Sequence, residues 1–268
     1  MLIGINHLVV LVRDLKDATA AYEALGFTVT PGGEHPMLGT HNALIPFADD
    51  SYIELLAFKR ERPDDLWCMQ LSDGYSGLMD FALVSDDLDR DVAISALLRP
   101  FSIMDGGRET PDGREIAWRL GLPQGWRTKP PLGSRSVPLP FLIQDVTPRS
   151  LRVPQGTARQ HRNGVAAVDR VYVGVDELDV AGVAYNALFG VSMPSVFRDA
   201  LFGVDALSLP CGKASIVLVQ LDAIAVRLPE NLLNRGPGII AVELNAKGGS
   251  AGRWLDIDQT MGAMVHIK

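Results

Sequence analysis

The stretch Ile5-Asn6-His7-Leu8-Val9-Val10-Leu11-Val12 decides how this chain is read. Apart from Asn6 and His7 it is apolar and rich in β-branched residues, the composition of a strand buried on both faces. Arg13-Asp14-Leu15 follows, and then Ala18, Ala21, Tyr22 and Leu25 recur at helical spacing until Gly26 supplies a stop. Three short extended segments come next, near 27–31, 42–47 and 52–58. The unit reads strand, helix, three strands.

That opening returns at Leu78-Met79-Asp80-Phe81-Ala82-Leu83-Val84, followed by Ser85-Asp86-Asp87-Leu88 and a helical segment to Leu98. Asp80 falls where His7 stood, and Asp87-Leu88 falls on Asp14-Leu15. A third copy opens at Val168-Asp169-Arg170-Val171-Tyr172-Val173-Gly174-Val175, with Glu177-Leu178 at the turn and Ala187-Leu188-Phe189-Gly190 at the helix stop. A reduced fourth copy opens at Gly238-Ile239-Ile240-Ala241-Val242-Glu243-Leu244. Repetition at this scale predicts an α+β chain of tandem βαβββ modules. Pairing them gives a first domain over 1–147, a linker over 148–163 marked by Pro148, Pro154 and Gly156, and a degenerate second domain over 164–268. The Pro-rich segment 129–140 reads as a long loop inside the second module, because Phe141-Leu142-Ile143 beyond it can close that module's sheet.

Composition narrows the function. With 268 residues, 47 % of them hydrophobic, the chain can bury a core. A net charge of −7, a pI near 5.2 and scattered Lys and Arg argue against nucleic acid or a membrane surface as partner. No apolar run reaches the roughly 18 residues of a membrane span, and the N-terminus lacks a charged leader region. Cys68 and Cys211 stand far apart, without a CxxC neighbour, so a disulfide framework is not expected and a reducing cytoplasm is. GxxxxGK[ST], GxSxG and HExxH are all missing, which removes support for nucleotide-phosphate and hydrolase chemistry. The oligomeric state is left open.

Gly39-Thr40-His41-Asn42-Ala43-Leu44-Ile45, Tyr52-Ile53-Glu54-Leu55-Leu56, Pro111-Asp112-Gly113-Arg114-Glu115 and Leu139-Pro140-Phe141-Leu142-Ile143 add to the repeat. Together they give a chain that resembles the glyoxalase-like branch of the vicinal oxygen chelate superfamily, closely over 5–145 and only in outline over 165–268. The resemblance implies two cup-shaped mixed β-sheets with helices on the convex side, and a ligand or metal site in the concavity. It also implies metal ligands from the first and last strands of each module, which by position are His7, Glu54, Asp80 and Gln144.

Strand alternation agrees in part: His7 shares a face with Val9 and Leu11, and Glu54 with Tyr52 and Leu56. A carboxylate in such apolar surroundings needs compensation worth several kcal/mol, which a divalent cation would supply. One imidazole, two carboxylates and an amide suit Fe(II), Mn(II), Ni(II) or Zn(II) with open water positions. Such a site predicts a metal-dependent lyase or isomerase acting on a small α-oxygenated or thiol-conjugated molecule, with Glu54 as catalytic base. Relatives with activity carry a His where this chain has Asp80 and a Glu where it has Gln144, so a two-histidine iron site is not in evidence. The competing expectation is a metal-free small-molecule binding or sequestering protein of the same fold. For the single residues, the structural alternatives are a core histidine for His7, a hydrogen-bonded carboxylate for Glu54 and a cap for Asp80.

Around the cup, His35 and His41 flank a rim loop, and His41 is a candidate to bind substrate. Alternation puts Arg114, Ile116, Trp118 and Leu120 on one face, with Trp118 as a wall and Arg114 as a carboxylate clamp. In the later modules Arg170 and Ala241 replace the histidine and Val217 replaces Glu54, which leaves the C-terminal half as scaffold, interface or lid.

Overall fold

The computed structural model describes residues 2–95, 100–109, 113–128, 137–190, 195–248 and 252–268. The expected helix end at Leu98, most of the Pro-rich loop and the Pro111-Asp112 pair lie outside the described residues.

The first module is β1 (Leu2–Leu11), α1 (Leu15–Ala24), β2 (Thr30–His35), β3 (Thr40–Pro46) and β4 (Tyr52–Phe58). Asp14 starts α1 as expected, its carboxylate accepting from the N–H groups of Lys16 and Asp17. A short helix, α2 (Leu66–Ser72), leads to the second module: β5 (Gly77–Ser85), α3 (Leu88–Ser95), β6 (Phe101–Glu109), β7 (Glu115–Pro123) and β8 (Phe141–Asp145). All these strands form one eight-stranded sheet in the order β2-β3-β4-β1-β5-β8-β7-β6. β1 and β5 pair antiparallel at its centre, and each pairs in parallel with the last strand of its own module. The arrangement is a local two-fold about the β1–β5 seam.

α4 (Arg149–Arg152) and a 3₁₀ turn at Gly156–Arg159 cross to the second half. There β9 (Val165–Val175), α5 (Leu178–Phe189), β10 (Val196–Arg198), β11 (Asp205–Cys211) and β12 (Ala214–Gln220) repeat the first module. α6 (Leu221–Ile224) and α7 (Glu230–Arg235) precede β13 (Gly238–Ala246), β14 (Arg253–Trp254) and β15 (Met264–Ile267). The second sheet, β10-β11-β12-β9-β13-β15-β14, follows the order of the first with one strand fewer. Only residues 247–252 separate β13 from β14, too short a connection for the module's helix, so the fourth copy is cut to strands.

Each sheet buries both faces. The outer faces of β1, β5, β9 and β13 share one core with α1, α3 and α5, through residues such as Leu8, Leu83, Val171, Tyr22, Leu88 and Tyr185. The inner faces form a separate cluster that includes Val9, Trp118, Tyr172 and Phe202. In the second cup, Phe202 together with Leu221, Ile224 and Leu232 of α6 and α7 covers the inner face. The first cup stays open because its edges curl together without being plugged: Arg108 on β6 donates from Nη1 to the Gly32 carbonyl on β2 at 2.7 Å.

The halves also meet backbone to backbone. Gly262, at φ +89°, would place a Cβ 2.3 Å from the Ser76 carbonyl oxygen, and Gly77, at φ +128°, would place one 2.5 Å from the Gly262 oxygen. A side chain at either position meets both a clash and a disfavoured backbone conformation. Gly262→Ala is therefore expected to lower unfolding stability by about 2 kcal/mol or more in urea titration; an unchanged midpoint would show that this approach is not needed to join the halves.

Candidate functional site

The parallel register of β1 and β4 sets His7 beside Tyr52 and Val9 beside Glu54. Side chains two apart on a strand share a face, so His7, Val9, Tyr52, Glu54 and Leu56 all look into the first cup. The cavity they enter has a volume of about 80 Å³. A single water needs roughly 10–15 Å³, so the cup has room for several waters or one small organic molecule.

His7 and Glu54 form its polar floor and are both buried, at 5 % and 7 % exposure. The His7 Nδ1–H donates to Asn6 Oδ1 at 2.9 Å, and Nε2 stands 3.4 Å from Glu54 Oε2. The imidazole stacks on Tyr52 at 4.7 Å between centroids and meets the edge of Phe141 at 5.3 Å. The other Glu54 oxygen accepts from Asn42 Nδ2. Burial lowers the His7 pKa, against the pull of Glu54. Burial works to raise the Glu54 pKa, but the hydrogen bond and charge of His7, then His35 and Asn42, outweigh it and hold the carboxyl at about 2. The floor presents an ionised carboxylate beside an imidazole.

Above this floor the walls are apolar or aromatic, with Trp67, Trp118, Leu120, Trp126, Phe141 and Ile143, and three guanidiniums join them. Arg152 comes from α4, inside the segment read as a linker. It binds both Asp145 oxygens, at 2.8 and 3.0 Å, and donates to the Tyr52 hydroxyl at 2.6 Å. Arg127 follows β7 and lies over the Trp67 ring at 4.3 Å, with Nη2 at 2.6 Å from Asp65 Oδ2. Arg108 passes beneath β2, where Gly33 leaves space for it: a Cβ at Gly33 would lie 2.3 Å from its Nη1. Gly32 does the same for Asn42, whose Oδ1 would lie 1.9 Å from an added Cβ.

Of the residues named from sequence, the fold brings His7, Glu54 and Trp118 together in the cup. His41 is on the other face of β3, beside Glu34 on β2, and its neighbour Asn42 is the one that enters. Arg114 is exposed just before β7 begins, and Arg108 supplies the cation at the cup. His35, treated as a rim histidine, lines the cavity, and burial lowers its pKa. Arg127, Arg152 and Trp126 gave no pattern in the sequence, since they arrive from loops and a one-turn helix rather than from strands.

Asp80 and Gln144 do not join the pair. Under the local two-fold, the pairing of His7 with Ala82 corresponds to that of Asp80 with Val9, so Asp80 does stand in the place of His7. Its carboxylate, however, accepts from the Phe81 N–H at 2.7 Å and the Trp126 indole N–H at 2.9 Å. The partner of Ala82 on β8 is Phe141, just as the partner of Val9 on β4 is Glu54. Phe141 thus occupies the position equivalent to Glu54, three residues before Gln144. Gln144 lies outside the cup, with its amide donating to the Asp86 carbonyl at 3.1 Å.

The superfamily implies a divalent metal between these positions, and the donors present do not fit one. His7 and Glu54 supply two ligands, Asp80 is spent on Phe81 and Trp126, and Phe141 has no donor atom. Among the described residues, no group of three or more His, Cys, Asp or Glu side chains is placed to hold an ion, whereas resident sites use about three or four protein ligands. In the second sheet, Arg170 lies 3.7 Å from Asp199 and 3.9 Å from Glu243, which is also met by His266 at 3.1 Å and Lys268 at 3.0 Å. That cluster closes on itself.

Asp80 has an unusual titration. Burial dominates and raises its pKa to about 7, with the hydrogen bonds from Phe81 and Trp126 and the charges of Arg235 and Arg127 opposing it only in part. The folded protein then binds a proton that the unfolded chain releases near pH 4, so stability falls as pH rises from about 4 to 7. Asp80→Asn should remove this slope: relative to the parent, the variant gains about 1–3 kcal/mol between pH 5 and pH 8 in urea titrations. Parallel pH profiles for the two proteins would refute the raised pKa.

A family model described as glyoxalase-like domain matches residues 5–189. The sequence has no significant match among curated proteins. A hypothetical protein from Staphylococcus aureus has the same fold at 13 % identity and TM-score 0.69, with 98 % of each chain covered. A triple mutant of 4-hydroxymandelate synthase from Streptomyces coelicolor matches at 15 % identity and TM-score 0.54, over 92 % of this chain and 72 % of that one. A xylose isomerase-like TIM barrel/4-hydroxyphenylpyruvate dioxygenase fusion protein matches at 17 % and 0.53, over 92 % of this chain and 36 % of that one. At such identities the likeness is one of fold. No helix among the described residues is long and apolar enough to cross a membrane. With its model spanning more than half of the sequence, this chain belongs to the glyoxalase-like domain family of the vicinal oxygen chelate superfamily.

Proposed function

We propose that the first cup binds a small organic molecule with its own side chains and without a resident metal, making this a binding or sequestering protein of the glyoxalase-like fold. The observation that carries this reading is the register that puts Phe141 in the place equivalent to Glu54. An aromatic ring there supplies a binding surface and removes a ligand. Trp118 and Trp126 extend that surface, and a concave apolar wall around a few convergent polar groups is the usual form of a small-molecule site.

The floor contributes orientation. The His7 Nδ1–H is committed to Asn6, and Nε2 faces the ionised Glu54 at 3.4 Å. The Glu54 carboxylate lines the cavity as an acceptor, and a ligand hydroxyl or N–H fits it. The alternative reading, a metal-dependent lyase or isomerase for a small α-oxygenated or thiol-conjugated molecule, retains only this pair in its support. Glu54, at about 2, is also a weak proton acceptor at neutral pH, which favours binding over general-base work for it.

Metal content tests the choice. Protein purified without chelators should hold below about 0.1 equivalent of Zn, Mn, Ni or Fe, and its thermal midpoint should not move with EDTA. About one equivalent of metal, lost in His7→Ala and in Glu54→Ala, would overturn the proposal and restore the metalloenzyme.

A further inference from the structure

The cup's cations are not equally matched by carboxylates. Arg152 is neutralised by Asp145 through two contacts. Arg108 has its Nη1 on the Gly32 carbonyl and no ion pair with any carboxylate among the described residues; it feels the Arg152 guanidinium against it and, less, the Glu54 carboxylate in its favour. Arg127 is 6 % exposed, and its Nε and Nη1 have no acceptor among the described residues, although Asp65 meets Nη2. Its backbone sits in the left-handed region at φ 58°, a conformation disfavoured for any residue with a side chain. A strained backbone that keeps a guanidinium with unmet donors at a cavity wall is the mark of a group waiting for a ligand.

The field across the cavity is directional. Glu54 puts a negative charge on the floor, and His35 within the cup feels Glu54, Arg108, Arg127 and Arg152 together. An anionic group on a ligand is repelled by the floor and drawn to Arg108 and Arg127. The remaining body then lies along Trp118 and Phe141. Arg108, with no ion pair of its own among the described residues, and a half-engaged Arg127 match a single negative charge, while a second acid group would meet Glu54.

We propose that the ligand is a small organic monocarboxylate with a flat apolar body, its acid group held by Arg108 and Arg127. This rests on the binding reading above and narrows it. Guanidinium–carboxylate bonds are charge-assisted, and exchanging the carboxylate for a neutral amide of the same shape removes that assistance while keeping the ring contacts.

Benzoate and benzamide form such a pair, and quenching of Trp67, Trp118 and Trp126 in the wall reports their entry. At pH 7 benzoate should bind at least about ten-fold more tightly than benzamide. Arg108→Gln should bring benzoate down to the benzamide level and leave benzamide unchanged, a contrast that a merely loosened fold would not give. Equal affinity of the two probes for the unaltered protein would overturn the carboxylate assignment and leave the binding reading standing. Failure of both to quench would sink the binding reading, and this inference with it.

Discussion

Backbone hydrogen bonds between antiparallel β1 and β5 join the first two modules, with His7 opposite Ala82 and Val9 opposite Asp80. Every property of the first cup follows from that seam. It fixes the local two-fold, and the parallel partners β4 and β8 then decide which side chains converge. Because side chains alternate along a strand, a slip of one residue would exchange the cavity face for the core face. His7 and Glu54 meet through this register, and Phe141 closes the opposite side through the same rule.

Two carboxylates in the cup region, Glu54 buried and Asp80 half-buried, show what neighbours do to a charge. Glu54 and Asp80 both lose water, which alone raises a carboxyl pKa. Glu54 has an imidazole at 3.4 Å and an amide donor, and it stays ionised at about 2. Asp80 has two N–H donors and only distant arginines, and it rises to about 7. The first is a charge on the floor of a cavity. The second is a carboxyl tied into the wall, at the place where a metal-binding relative would carry its second histidine.

The two halves of the chain share a topology and differ in what fills it. In the first cup, Gly32 and Gly33 thin the edge strand so that Asn42 and Arg108 can pass beneath it, and the space above His7 stays free. In the second, Val217 pairs with Tyr172 as Glu54 pairs with Val9, and Phe202 packs on Tyr172 at 5.2 Å between centroids. Its polar side chains Arg170, Glu243, His266 and Lys268 pair with one another. One module pair thus keeps an open cavity, while the other is filled, and both contribute to the shared outer-face cluster.

Local periodicity made much of this legible in the sequence. The apolar run at 5–12, its returns at 78–84, 168–175 and 238–244, and the acidic-Leu turns before each helix fixed the modules and their α+β class, since strand and helix periods are written in neighbouring residues. The same alternation placed His7, Glu54 and Trp118 on inward faces. Tertiary structure decided what periodicity cannot encode. Whether β3 turns Asn42 or His41 inward depends on its pairing with β4, and whether Phe141 or Gln144 answers Glu54 depends on the pairing of β8 with β5. Arg127 and Arg152 reach the cup from outside any strand, brought by packing against Trp67 and by the bond to the Tyr52 hydroxyl. Long-range register and loop placement arise from contacts between residues tens of positions apart, so the sequence set the architecture and the folded chain set the chemistry of its cup.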